Sequence, residues 1–136
     1  MALLTLWSSD TAPPQDSRLL HLLSEAGDGR CPLYFAVVPI KYVRVFSASY
    51  KPVSWEPWKV AVDLFKDVLS NKKSVPLLVY QEGDFFIVSD DYPAYYAHLE
   101  TDEEMALCFV LGTPVGTHFH LEREASADDR LKILGF

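Results

Sequence analysis

The residues whose types and spacing suit chemistry fall in two short stretches. In Ser89-Asp90-Asp91 two carboxylates and a hydroxyl stand in a row immediately before Tyr92. Paired carboxylates held close together split their pKa values, and the set can bind a cation or act in acid–base work. The same residues are also ordinary helix caps, and capping is the simpler expectation. The second stretch is Thr117-His118-Phe119-His120-Leu121-Glu122-Arg123-Glu124. On a strand over Thr117–Leu121, His118, His120 and Glu122 would share one face. Two imidazoles with Glu122 or Glu124 make a divalent-metal ligand set, whereas the plain alternative is the polar face of an edge strand.

Catalytic nucleophiles are harder to find. Gly-x-Ser-x-Gly, a phosphate-binding glycine loop and Cys-x-x-Cys are all absent from the sequence. Neither Cys31 nor Cys108 sits in a recognisable nucleophile setting. No catalytic residue is therefore assigned. Tyr92, Tyr95 and Tyr96 fall on one face of a short helix, and Tyr50, Trp55 and Trp58 add aromatic surface nearby. Such a patch is either core or a partner-binding surface, for which Tyr50, Trp55, Tyr92, Tyr95 and Tyr96 are the candidates.

The elements that must position these residues can be read from periodicity. Asp16 or Ser17 caps a helix to about Glu25 with Leu19, Leu20, Leu22 and Leu23 on its apolar face, and Gly27-Asp28-Gly29 ends it. Met1–Trp7 reads as a short edge strand and Ser8–Pro14 as a loop. Leu33–Val38 and Ile40–Phe46 read as strands interrupted at Pro39. The strongest signal is a helix over about 55–69, capped by Ser54, with Pro57 in its first turn. Trp58, Ala61, Val62, Phe65, Val68 and Leu69 form its apolar face. Burying that face is worth on the order of 10 kcal/mol gross, at about 1.5–3 kcal/mol per large side chain, so it must pack on a sheet. Val75–Tyr80 and Phe85–Val88 read as a hairpin across Gln81-Glu82-Gly83-Asp84, followed by a helix from Tyr92 to about Leu99. Glu100–Glu104 is an acidic surface run. Leu107–Leu111 and Thr117–Leu121 complete the strands, and Asp128–Leu134 makes a terminal helical turn.

Composition bounds what this chain can do. Its 136 residues fit one domain, divided as an N-terminal extension (1–30), a core (31–111) and a C-terminal strand and helical turn (112–136). With 49% hydrophobic residues, a core can form without a disulfide or metal staple. The net charge of −7 and twelve scattered basic residues argue against direct nucleic-acid binding and suit a basic protein partner. No run of eighteen apolar residues and no signal-peptide pattern is present, so neither membrane span nor export is expected. Two cysteines then read as reduced thiols in the cytoplasm. So short and unadorned a chain suits a bacterial or phage accessory protein.

Two resemblances bear on this reading. From Ile40 to Leu111 the order of strands and helices resembles the ParB N-terminal/sulfiredoxin-like superfamily, and Val75-Pro76-Leu77-Leu78-Val79 is similar to its Pro-hydrophobic-hydrophobic-Val pattern. Its Asp-Gly-x-x-Arg-x-x-Ala motif aligns with Asp90 to Ala97, where Asp90 and Ala97 match, Asp91 replaces the Gly and Ala94 replaces the Arg. The resemblance implies an α/β (α+β) mixed sheet and, as an alternative function, nucleotide binding or hydrolysis through Asp90, Asp91 and Arg44. Asp91 places negative charge where the family's Gly and Arg receive phosphate. Gly112, His118, His120 and Glu124 also resemble the first metal motif of cupins, but sixteen residues after His120 leave no room for the second.

The function expected from the sequence is a non-catalytic, acidic binding or regulatory module that engages a protein partner and needs no cofactor. The alternatives are the nucleotide-binding protein just described and a small metalloprotein using a divalent metal at His118 and His120.

Overall fold

The fold was analysed in a computed structural model that describes residues 14–48, 50 and 55–135. The expected strand at Met1–Trp7, most of the loop to Pro14 and the Ser54 cap lie outside them.

The first helix, α1 (Ser17–Gly27), starts where the sequence places it. Asp16 is its N-cap, accepting from the backbone N–H groups of Arg18 at 3.0 Å and Leu19 at 3.4 Å. Strand β1 (Leu33–Pro39) follows and includes Pro39, which pairs with Met105. The expectation of a strand from Ile40 is corrected: Ile40–Tyr42 is a 3-10 turn, and only Val43–Val45 forms β2. Proline cannot donate to the ladder, and β1 and β2 belong to distant places in the sheet, so the chain must turn here.

Helix α2 (Trp55–Ser70), the hairpin of β3 (Leu77–Glu82) and β4 (Phe85–Val88), helix α3 (Tyr92–Glu100) and β5 (Met105–Leu111) follow in the expected order. The last strand, β6 (His120–Glu124), starts three residues later than expected, and α4 (Ala127–Leu134) closes the chain behind a capping box made by Ser126 and Asp129.

One six-stranded mixed sheet runs in the order β2-β4-β3-β5-β1-β6. The pairs β2–β4 and β3–β5 are parallel, and the other three are antiparallel. Side chains alternate across it. Leu77 and Val79, Phe86 and Val88, and Ala106, Cys108 and Val110 meet Trp58, Ala61, Val62 and Leu69 of α2 and Ala94 and Ala97 of α3. Leu78, Tyr80, Ile87 and Leu111 face the opposite way, toward Leu19 and Ala26 of α1, with Ile133 and Leu134 of α4 at the margin. The class is therefore α+β, a mixed sheet with the amphipathic helix on one face, as its periodicity requires.

Candidate functional site

Strand β4 ends at Val88 and delivers Ser89 and Asp90 into the interior, where they are 4% and 5% exposed. Asp91 holds the N-cap position of α3, yet its side chain makes no capping hydrogen bond. The capping expectation is thus corrected. Among the described residues, Ser89 Oγ, both oxygens of Asp90 and Asp91 Oδ1 are buried without a hydrogen-bond partner. Native proteins satisfy nearly all such groups, so four orphaned oxygens in three consecutive residues call for an explanation. Burial, and after it the charge of Asp91, pushes the Asp90 carboxyl above its ordinary range, and burial does the same for Asp91. Asp91 opens onto a cleft of about 360 Å³ with Phe65 and Val68 of α2, Pro76 and Ala94.

Arg44 does not complete this acidic pair. Its guanidinium lies 3.4 Å from the centre of the Phe85 ring, and among the described residues no ion pair joins it to Asp90 or Asp91.

The aromatic cluster divides between core and surface. Tyr92 is fully buried, and its hydroxyl accepts from the backbone N–H of Ser47 at 2.9 Å. Its ring meets Tyr50 edge-on at 5.2 Å and Trp58 at 6.4 Å. Tyr92 is therefore a core residue and presents no ring to a partner, a correction to its place in the expected surface. Tyr95 and Tyr96 are half-buried, 5.3 Å apart, and the Tyr95 hydroxyl donates to the carbonyl of Val43 at 3.3 Å. Tyr50 is half-buried, and Trp55 opens α2 with its side chain outside the described residues. Burial pushes the Tyr50 phenol up to about 12 and raises Tyr92, Tyr95 and Tyr96 as well, so all remain protonated at neutral pH.

The histidine stretch does not gather into a ligand set. His118 precedes β6, its ring 4.3 Å from that of Tyr42 and its Nε2 3.9 Å from Asp84. Phe119 turns inward, 5.7 Å from Phe86, which draws the chain off the expected strand. His120 is exposed, 3.9 Å from Glu122, while a bulge at Glu122 breaks the alternation before Glu124 pairs with Tyr34. Among the described residues no three His, Cys, Asp or Glu side chains come close enough to hold a metal ion.

Sequence reasoning passed over one feature. A groove of about 540 Å³ runs between Pro39-Ile40-Lys41 and the segment from Leu99 to Met105. Its apolar lining includes Leu99 and Met105, 42% and 45% exposed, and Lys41, Asp102, Glu103 and Glu104 line it as well. Pairing of Pro39 with Met105, and a hydrogen bond from Ile40 N–H to the Glu104 carbonyl at 2.8 Å, bring the two walls together. The sequence signal was an acidic run flanked by Leu99 and Met105. Its second wall lies some sixty residues away in the chain.

No protein-family model matches this chain, and no curated protein is significantly similar to it. Among solved structures, sulfiredoxin from Arabidopsis thaliana is similar at 14% identity over 58% of this chain and 85% of that one, with a TM-score of 0.44. Among the described residues, no helix is long and apolar enough to cross a membrane.

Proposed function

We propose that this protein is a non-catalytic binding module that engages a protein partner through the groove between Pro39–Lys41 and Leu99–Met105. The observation that carries this reading is a groove lined by exposed Leu99 and Met105 together with three carboxylates and one lysine, Lys41. Apolar area left open to water gains on being covered, and the carboxylates of Asp102, Glu103 and Glu104 select a partner segment that pairs apolar side chains with Lys or Arg. The net charge of −7 favours the same encounter from a distance. Tyr95 and Tyr96 stand one helical turn before Leu99, so their half-buried rings extend the apolar face along α3. A reducing, cytoplasmic setting suits the two buried free thiols.

A nucleotide phosphate at Asp90, Asp91 and Arg44 is the less favourable reading. Two carboxylates at the start of α3 repel an anion, and Arg44 is occupied with Phe85.

The test is fluorescence anisotropy with a labelled amphipathic peptide built from Leu and Lys, at low and high salt. Binding to the wild type, weakened by salt and reduced at least about tenfold in Leu99→Asp, is the expected outcome. Binding indifferent to Leu99→Asp, or turnover of a substrate by the purified protein, would remove the proposal.

A further inference from the structure

We infer, resting on the partner-binding reading of the groove, that the bound segment also carries an Asp or Glu side chain, which Lys72 and Lys73 receive in a second hollow beside it.

Helices α2 and α3 end in the same way. After α2, the backbone N–H of Lys72 donates to the Leu69 carbonyl at 3.0 Å, and that of Lys73 to the Val68 carbonyl at 3.2 Å. After α3, Asp102 donates to Leu99 at 3.3 Å and Glu103 to His98 at 3.1 Å. Lys72 and Asp102 hold left-handed backbone, with φ of 60° and 55°. Such a pair of bonds around one left-handed residue closes a helix, and glycine is the residue favoured there. A lysine in that place is kept against backbone strain, which directs attention to its side chain.

The two turns carry opposite charge. Lys72, Lys73 and Glu103 line one hollow of about 270 Å³, together with Ser74 and His98. His98 is buried, and its Nδ1 lies 2.8 Å from the Ala94 carbonyl, which fixes the ring as a wall. Among the described residues neither lysine forms an ion pair. Two ammonium groups therefore stand against one carboxylate in the lining, and the charge that complements them is negative.

Glu103 and Met105 line both this hollow and the groove, so one bound segment can meet the two together. A segment of apolar and basic residues alone matches Leu99, Met105 and the groove's carboxylates and leaves Lys72 and Lys73 in water. An added Asp or Glu completes the match.

The test is anisotropy at 0.15 M salt, where charges beyond about 8 Å are screened. The Leu/Lys peptide is blocked at its termini and carries either Glu or Gln at both ends. The Glu form binds the wild type about three- to fivefold tighter, the upper range for an exposed ion pair. That preference disappears when Lys72→Gln and Lys73→Gln are combined, and it turns against Glu when both become Glu. Both positions are exposed, so the variants keep the wild-type melting temperature. Equal binding of the two peptides to the wild type, still lost in Leu99→Asp, overturns the acidic contact and leaves the groove standing. Binding of neither peptide removes the partner reading and this inference with it. A preference for Glu that survives in the Gln double variant, or one that needs an unblocked C-terminal carboxylate, also overturns it.

Discussion

The Tyr80 hydroxyl donates to Asp16 Oδ2 across 2.7 Å, joining the third strand to the cap of the first helix, sixty-four residues earlier in the chain. Asp16 Oδ1 meanwhile accepts from the backbone of Arg18 and Leu19, so one carboxylate both starts α1 and fastens it to the sheet. Burial and this hydrogen bond raise the Tyr80 phenol, which keeps it a donor throughout the neutral range.

Tyr80→Phe removes the donor and leaves Oδ2 buried without it. The expected cost is about 1.5–3 kcal/mol, the range for hydrogen bonds to charged groups. Asp16→Ala is at least as damaging, because the cap is lost as well. Urea denaturation of both variants checks this, and a Tyr80→Phe protein as stable as wild type would mean that α1 is held by its leucines alone.

Tyr92 and Tyr96 differ in burial within one helix, the first fully buried and the second half-buried against Trp58. Tyr92→Ala should cost about 3–5 kcal/mol, since a fully buried ring is deleted from contact with Tyr50 and Trp58. Tyr92→Phe forfeits only the hydroxyl that accepts from Ser47, about 0.5–1.5 kcal/mol. Equal losses in the two variants, measured by chemical denaturation, would contradict this placement.

Asp90 and Asp91 give the protein a distinctive pH dependence. Their carboxyls are raised in the folded state, chiefly by burial, so between the ordinary carboxylate range near about pH 4 and those raised values the folded chain holds protons that the unfolded chain has released. Stability from this pair is therefore greatest at low pH, falls as pH rises through the raised values, and is level above them. The wild type should lose more stability between about pH 5 and pH 8 than Asp90→Asn does. Parallel pH profiles for the two proteins would show that Asp90 carries no such penalty.

Leu99→Ser and Met105→Ser test the groove from the side of stability. Both residues are substantially exposed, so each change should shift unfolding by no more than about 0.5 kcal/mol. Peptide binding should nevertheless fall in both, which distinguishes a docking surface from a packing role.

What the sequence disclosed follows a physical division. The 3.6-residue repeat from Trp58 to Leu69 and the alternation along β3, β4 and β5 state which sides are apolar, and sheet packing obeyed them. Elements whose limits are set by distant partners were misjudged. Ile40–Tyr42 has strand-like residues but turns because β1 and β2 lie apart in the sheet, and β6 starts late because Phe119 is drawn toward Phe86. The candidate sites were harder still. Asp90 and Asp91 look like caps in sequence, and only three-dimensional burial shows oxygens without partners. The groove needs Pro39 and Met105 side by side, a proximity created by strand pairing and invisible to local pattern.

The place of the two cysteines makes the chain its own clock for motion. Cys108 lies mid-sheet, paired with Ala36 on one side and Leu77 on the other, and burial pushes its thiol up to about 12. A thiol reagent can reach it only when the sheet itself parts, so its labelling rate follows global opening. Cys31 sits between the end of α1 and the start of β1, and its carbonyl receives the Arg130 guanidinium from α4 at 3.0 Å. Its labelling instead times the lifting of the outer helices from the sheet. Two residues without an assigned chemical role thus offer separate reporters, one on the packing of the outer helices and one on the integrity of the sheet, in one unmodified chain.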